Sequence, residues 1–332
     1  MASIMTNASA LTALQSLNAT QKNLDTTQAR ISTGYRVSQA SDNAAYWSIA
    51  TTMRSDNQAM STVSDALGLG ASKVDTAYTG MDSAITTINQ IQQKLTASYG
   101  QTDAAKEKTQ VEIAALQAQL KGYADGATFS GTNMLSVNSG ATATTAADVK
   151  VVSAFNRSSA GAVSISTIDV NVESIKLYEA GTAATSKGIL DANRLGTTGA
   201  ETATAQNATA GNAVVAGDTY SVATLKIFDT ATGKGFGDDQ IAQMMTVVDA
   251  ALKDMTTAAT KLGAAKSSID LQKTFTSSLM DSIDRGVGQL VDADMNKEST
   301  RLQALQVQQQ LGVQALSIAN GSSQSILSLF RG

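Results

Sequence analysis

The chain has 332 residues, 42% apolar, 16% charged and only 4% aromatic, with a formal net charge of −4. It contains no Cys, no His and no Pro, which excludes a disulfide framework, thiolate or imidazole metal sites and histidine acid–base chemistry. The acidic balance without a basic run speaks against nucleic-acid binding, and no apolar stretch is long enough to be expected to span a membrane.

The length predicts two or three domains. The first helical pattern starts near Ser3, and Leu11, Leu14, Leu17, Leu24 and Ile31 mark one face of it. No Lys or Arg precedes Lys22, so the positive start of a cleaved secretory signal is not expected. Next comes a sevenfold spacing: Met53, Met60, Leu67, Val74, Met81, Ile88 and Leu95 recur without a break. Val63, Ala77, Ala84 and Ile91 fill the position three residues on, which is a coiled-coil seam. It predicts a helix from about Asn43 to Tyr99, ~85 Å long at ~1.5 Å per residue. Asp42 is its expected N-cap and Gly100 its stop. A shorter helix follows, capped by Asp103, with Ile113, Leu116, Leu120 and Tyr123 as its stripe and the Gly122–Gly131 region as its end.

The middle reads as β. Val149–Phe155 and Ala162–Val172 alternate apolar and polar residues around Arg157–Gly161, which predicts a hairpin. Leu225, Ile227 and Phe228 suggest a returning strand. Between them Gly181–Gly217 is Thr-, Ala- and Gly-rich and is expected to be a loop-rich surface insert.

A second seam joins Ile241, Val248, Met255, Leu262, Ile269 and Ile283, with Thr276 its one polar member. Asp238 or Asp239 is the expected cap of its helix, which is expected to end near Gly286 and Gly288. In the last segment Val291, Leu302 and Val313 repeat at eleven residues, as do Leu305, Leu316 and Leu327, which favours a nearly straight helix. The expected fold is mainly α. A long antiparallel coiled coil or helical bundle is made from both chain ends, with a small β-rich central insert. The two terminal helices bury little area alone, so they should order in an assembly.

Enzymatic motifs fail one by one. Asp292 and Asp294 are a carboxylate pair, but positions i and i+2 point to different helix faces, and a helix-start role fits better. Gly233–Lys234 lacks the glycine a phosphate loop needs, because Phe228 stands there. Asp229–Gln240 has the length of a calcium loop, yet Ala231 replaces the second ligand. Without histidine no zinc-protease motif exists. Trp47, the only Trp, reads as a packing anchor. No catalytic, cofactor-binding or metal residue is therefore assigned, and the chain is read as a non-enzyme.

The stretch Ala29–Ala50, ARISTGYRVSQASDNAAYWSIA, resembles the N-terminal signature of bacterial flagellins, with Gly34, Arg36, Asp42, Ala44 and Ala45 keeping the pattern. Asp292–Gly332 resembles the matching flagellin tail. The pattern departs at Ser41, at Asn43 and at Tyr46–Trp47, in the manner of rhizobial flagellins of soil α-proteobacteria. The resemblance implies a structural subunit that polymerises into the extracellular flagellar filament for swimming motility, after type III export. It implies paired terminal helices in the filament's inner layer over residues 1–33 and 289–332. A helical shaft with the hairpin covers 34–172 and 236–288, and an exposed, variable outer domain covers 173–235. The apolar residues of the terminal helices would drive polymerisation, and the two seams would hold the shaft. Implied partners are further copies, other flagellins, an export chaperone on the C-terminal helix, and filament-cap and hook-associated proteins. No nucleic acid, membrane or cofactor is implied. The alternatives are a hook–filament junction protein, whose termini are similar, and a secreted coiled-coil adhesin or host-binding module.

Overall fold

In the computed structural model, residues 7–139, 147–158, 161–181, 187–206 and 208–329 are described, with side chains as far as Gly321. Ser3, where the first pattern was read to begin, and the side chain of Leu327 lie outside the described residues. The helices are α1 (Ala8–Thr33), α2 (Ala44–Ser98), α3 (Asp103–Gly126), α4 (Asp238–Val291) and α5 (Met295–Leu329). The chain forms two compact units, Met1–Ala59 with Leu279–Gly332, and Met60–Ser278.

The core of the Met60–Ser278 unit is built from the sevenfold seams. Leu67, Val74, Met81, Ile88 and Leu95 of α2 join Ile113 and Leu120 of α3 and Ile241, Val248, Met255, Leu262 and Ile269 of α4 in one buried cluster. Met60 and Thr276 are buried as well. A sevenfold repeat keeps one face of each helix turned to its partners, so the spacing in sequence becomes a continuous seam in space. Gly100 follows α2 with φ of 73°, a left-handed backbone that glycine adopts without steric penalty.

Val149–Arg157 and Val163–Val170 pair antiparallel, with a register shift between Val152 and Ala154. Val151 of this hairpin packs on Gly70 of α2 so closely that a Cβ at Gly70 would stand 2.2 Å from its Cγ1. The remaining strands are two-residue pairs. Residues 173–235 contribute Ile175, Leu177, Leu190, Tyr220, Val222 and Leu225 to the same cluster as the helices.

Four local expectations are corrected. Asp103 is the first residue of α3 rather than its cap: the cap position is Thr102, and Asp103 Oδ1 accepts from Gly235 N. Gly286 and Gly288 do not end α4, which runs to Val291. A glycine within a helix costs about 1 kcal/mol, and continuing the helix buries Val287 and Val291 with Val37 and Ala50. Gly181–Gly217 is not merely a surface loop, because Leu190, Ala192, Arg194 and Ala210 are buried. The Arg194 guanidinium ties this segment to α4 through Asp254 at 2.7 Å and also reaches Glu201 at 2.8 Å. Finally, Leu225, Ile227 and Phe228 do not make one returning strand, and only Phe228 lies in a strand. Phe228–Asp229 pairs locally with Lys234–Gly235. Two α3 glutamines hold the approach: Gln117 Nε2 donates to Val222 O and Leu225 O, and Gln110 Oε1 accepts from Ile227 N.

Candidate polymerisation surface

In the unit made by the two chain ends, α1 and α5 lie against each other. Asn7 caps α1 by accepting from Ala10 N, while its amide nitrogen donates to Ala319 O at 2.9 Å. At the other end of the pair Arg30 meets Glu298 at 3.2 Å. Between them Gln309 Nε2 donates to Gln21 Oε1. These contacts make the helices antiparallel. The buried line on α1 is Thr20, Leu24 and Thr27, and on α5 Glu298 and Leu305 are buried. One carboxylate oxygen of Glu298 is buried without a hydrogen-bond partner. The seam of this pair is thus thin and partly polar.

Gly34 ends α1 in the left-handed conformation, φ 75°, its N–H returning to Arg30 O. The chain then runs beside the end of α4. Arg36 N and Val37 N both donate to Val291 O, and Ala293 N donates to Gly34 O. The Arg36 guanidinium donates to Leu290 O at 2.9 Å, and Arg54 lies 4.8 Å over the Tyr35 ring. Val37, Ala50, Val287 and Val291 form a second small core here, with Met53 and Ile283 packed against it.

Two residues of this stretch act differently from their sequence reading. Asp42 does not cap α2. Its Oδ2 accepts from Ser38 N, Ser38 Oγ and Gln39 N, closing the turn before the helix. Those backbone donors hold its carboxyl below the ordinary carboxylate value. The cap is Asn43, whose Oδ1 accepts from Tyr46 N, with Ala44 and Ala45 opening the helix. Trp47 is no buried anchor: it is 39% exposed beside exposed Tyr46 and Ile49, and Ala50 takes the buried place. Asp294 starts α5, accepting from Asn296 N and Lys297 N.

The apolar residues expected from sequence divide into three groups. Leu24, Val291 and Leu305 are buried, while Leu17, Ile31, Leu302 and Leu316 are half-buried. Leu11, Leu14 and Val313 are 53%, 44% and 54% exposed, and Val307, Leu311 and Ile318, which the periodicity did not single out, are exposed too. The Arg30–Glu298 pair and the Asn43 cap were also not foreseen. Their partners are 268 residues apart in the first case, and in the second the acid next to Asn43 looked the better cap.

A family model described as the bacterial flagellin N-terminal helical region matches residues 4–140, and one described as the bacterial flagellin C-terminal helical region matches residues 245–330. Curated relatives align from end to end. Flagellin C of Rhizobium meliloti (strain 1021) is 48% identical over 335 residues, covering all of both chains. The flagellin of Brucella melitensis biotype 1 is 47% identical over 332 residues, again with both chains fully covered. The chain belongs to the bacterial flagellin family. Flagellin A of Rhizobium meliloti (strain 1021), 43% identical over a 403-residue alignment that covers both chains, is one of several longer relatives.

The flagellin is a structural protein, not an enzyme, and its kind self-polymerises into the extracellular flagellar filament. The full-length coverage gives no support to the junction-protein or adhesin readings. Among the described residues no helix is long and apolar enough to cross a membrane, and no group of acidic side chains is gathered to hold a metal.

Proposed function

We propose that this flagellin polymerises through the α1–α5 pair, and that the two sevenfold seams serve to hold a shaft that does not change on assembly. The observation that carries this reading is the exposure of Leu11, Leu14, Val307, Leu311, Val313 and Ile318 on a helix pair whose own seam is thin. Exposed apolar area on that scale drives association at about 25 cal/mol per Å² buried. Repeating one such contact head to tail gives an open helical polymer.

The remaining assignments follow. The chain is exported by the type III route, and its C-terminal helix, apolar and incompletely covered in the monomer, is the segment a chaperone would mask. Filament-cap and hook-associated proteins meet the same terminal helices at the two ends of the polymer. Residues 173–235 face outward, in the stretch of chain between the two family matches.

Removing Val291–Gly332 tests the reading. Polymerisation should be abolished while circular dichroism and cooperative melting still report a folded Met60–Ser278 unit. Filaments of normal length from the truncated chain, seen by negative-stain electron microscopy, would refute it.

A further inference from the structure

The two flanks of the α1–α5 pair differ in relief. Successive helical residues turn by about 100°. Relative to the buried line through Leu24, Leu14 falls roughly 80° to one side, and Ser16 and Thr12 fall roughly 80° and 120° to the other. On α5, Val313 lies on one side of the Leu305 line, and Ala315 and Ile318 lie on the other. The contacts at Asn7–Ala319 and Arg30–Glu298 fix the antiparallel register. Interpolating between them sets Leu14 level with Val313, and Thr12 level with Ala315.

One flank is therefore a groove. Ser9, Thr12, Ala13, Ser16, Ala315 and Ala319 line it, with a volume of about 660 Å³, and Ile318 rises at its edge, 74% exposed. Ile318 is its one large lining residue, and the other walls are small side chains. The opposite flank is a ridge formed by Leu14 and Val313 side by side with Leu11 next to them, all exposed. Ridge and groove occupy the same height on the pair. The helix pair thus carries both halves of a knob-and-hole contact, and one copy cannot bring its own halves together because they face opposite ways.

We infer that the Leu11–Leu14–Val313 ridge of one copy seats in the Ser9–Ala13–Ala315 groove of the next, as the lateral contact between terminal helix pairs. The occupant is a second copy of this chain, because the family self-polymerises and the ridge that fits the groove is on the chain itself. The contact is heterologous, so it repeats around the assembly instead of ending in a dimer. Close packing of large on small residues gives it its register. The inference rests on the polymerisation reading above and adds which surface meets which.

The absence of cysteine from the chain makes the test direct. Filaments of a Leu14→Cys/Ala315→Cys variant, oxidised and run on a denaturing gel, should give a ladder of covalent multimers. The two positions lie on opposite flanks and cannot link within one copy. Leu14→Cys alone should give monomers. Dimers from that single variant would show ridge packed on ridge, and filaments of the double variant without a ladder would show another lateral contact; either overturns the inference and leaves the polymerisation reading standing. A second pair decides the matter should the cysteine variant fail to assemble. Ala315→Leu should reduce polymer yield at least tenfold by filling the groove, and Ala315→Leu/Leu14→Ala should recover most of it. No recovery overturns the inference, whereas filaments from the chain lacking Val291–Gly332 would instead remove the reading beneath it.

Discussion

Glu179 has a side chain closed off from solvent, and its neighbours decide its charge. Burial by itself would raise its pKa. Hydrogen bonds from Ser139 Oγ and Ser139 N, from Lys176 Nζ and from Gly181 N outweigh that and lower it from 4.5 to about 2. Lys176, itself fully buried, is kept charged by Glu179 and Glu173. A carboxyl whose folded pKa is depressed gives stability that is complete above its unfolded value and lost as pH falls toward the folded one. The Met60–Ser278 unit should therefore lose stability between pH 4.5 and about 2 on account of this group. Glu179→Gln should remove that part of the acid dependence and cost about 3–5 kcal/mol at neutral pH, since it deprives a buried ammonium of a partner. Thermal unfolding followed across pH checks both, and a variant with the parent's acid profile would show that Glu179 is not the group responsible. Gly70 makes a different residue-scale case. Adding one methyl there meets Val151 of the hairpin, and Gly70→Ala should destabilise by about 1–3 kcal/mol through overpacking. The same change at Gly68, which has open space around it, should be neutral or slightly stabilising. Neither position stands out in the sequence, because a fifty-five-residue helix and a distant hairpin must meet before Gly70 has a neighbour.

At the scale of elements, the sequence was legible wherever one local period decided the outcome. The sevenfold run from Met60 to Leu95 gave α2 its length and its buried face, and the alternation over Val149–Phe155 gave the hairpin, because both depend on residues close in the chain. What stayed hidden depended on distant partners. Gly286 and Gly288 read as a stop in sequence because the packing of Val287 and Val291 on Val37 and Ala50 is not local. Gly181–Gly217 reads as a loop-rich surface insert because nothing local marks the burial of Leu190 and Arg194. Asp42 and Asn43 offered two adjacent caps, and only the turn at Ser38 decided between them. The apolar stripes of the terminal helices were half legible. The spacing found the terminal stripes, but not which members face the partner helix and which face out. The seam itself carries a sharp contrast. Leu67 is fully buried and Leu69, two residues on, is 48% exposed. Leu67→Asp should lower stability by several kcal/mol, the scale of an unpaired buried charge. Leu69→Asp should change it by no more than about 0.5 kcal/mol. Equal melting temperatures for the two variants would mean that α2 does not present the face assigned to it.

Taken as a whole molecule, the chain distributes its stability unevenly. The Met60–Ser278 unit has one continuous apolar core fed by three helices. The α1–α5 pair buries Leu24 and Leu305, and most of its other buried positions are Thr20, Thr27 and Glu298. A fully buried leucine contributes about 1.5–3 kcal/mol. Fixing each residue's backbone costs about 1–2 kcal/mol before helical hydrogen bonds offset it. Two leucines leave the pair with little margin, and cooperative units with little margin open first. On the polymerisation reading assembly changes the terms, because burial of exposed residues such as Leu11, Leu14 and Val313 against a neighbour offsets the remaining ordering cost. Amide hydrogen exchange should therefore be fast over Ala8–Thr33 and Met295–Leu329 in the monomer, slow over Val74–Leu95, and slow over all of them in the filament. Monomer protection of α1 equal to that of α2 would mean that the terminal pair is stable alone, and that polymerisation joins preformed helices without ordering them.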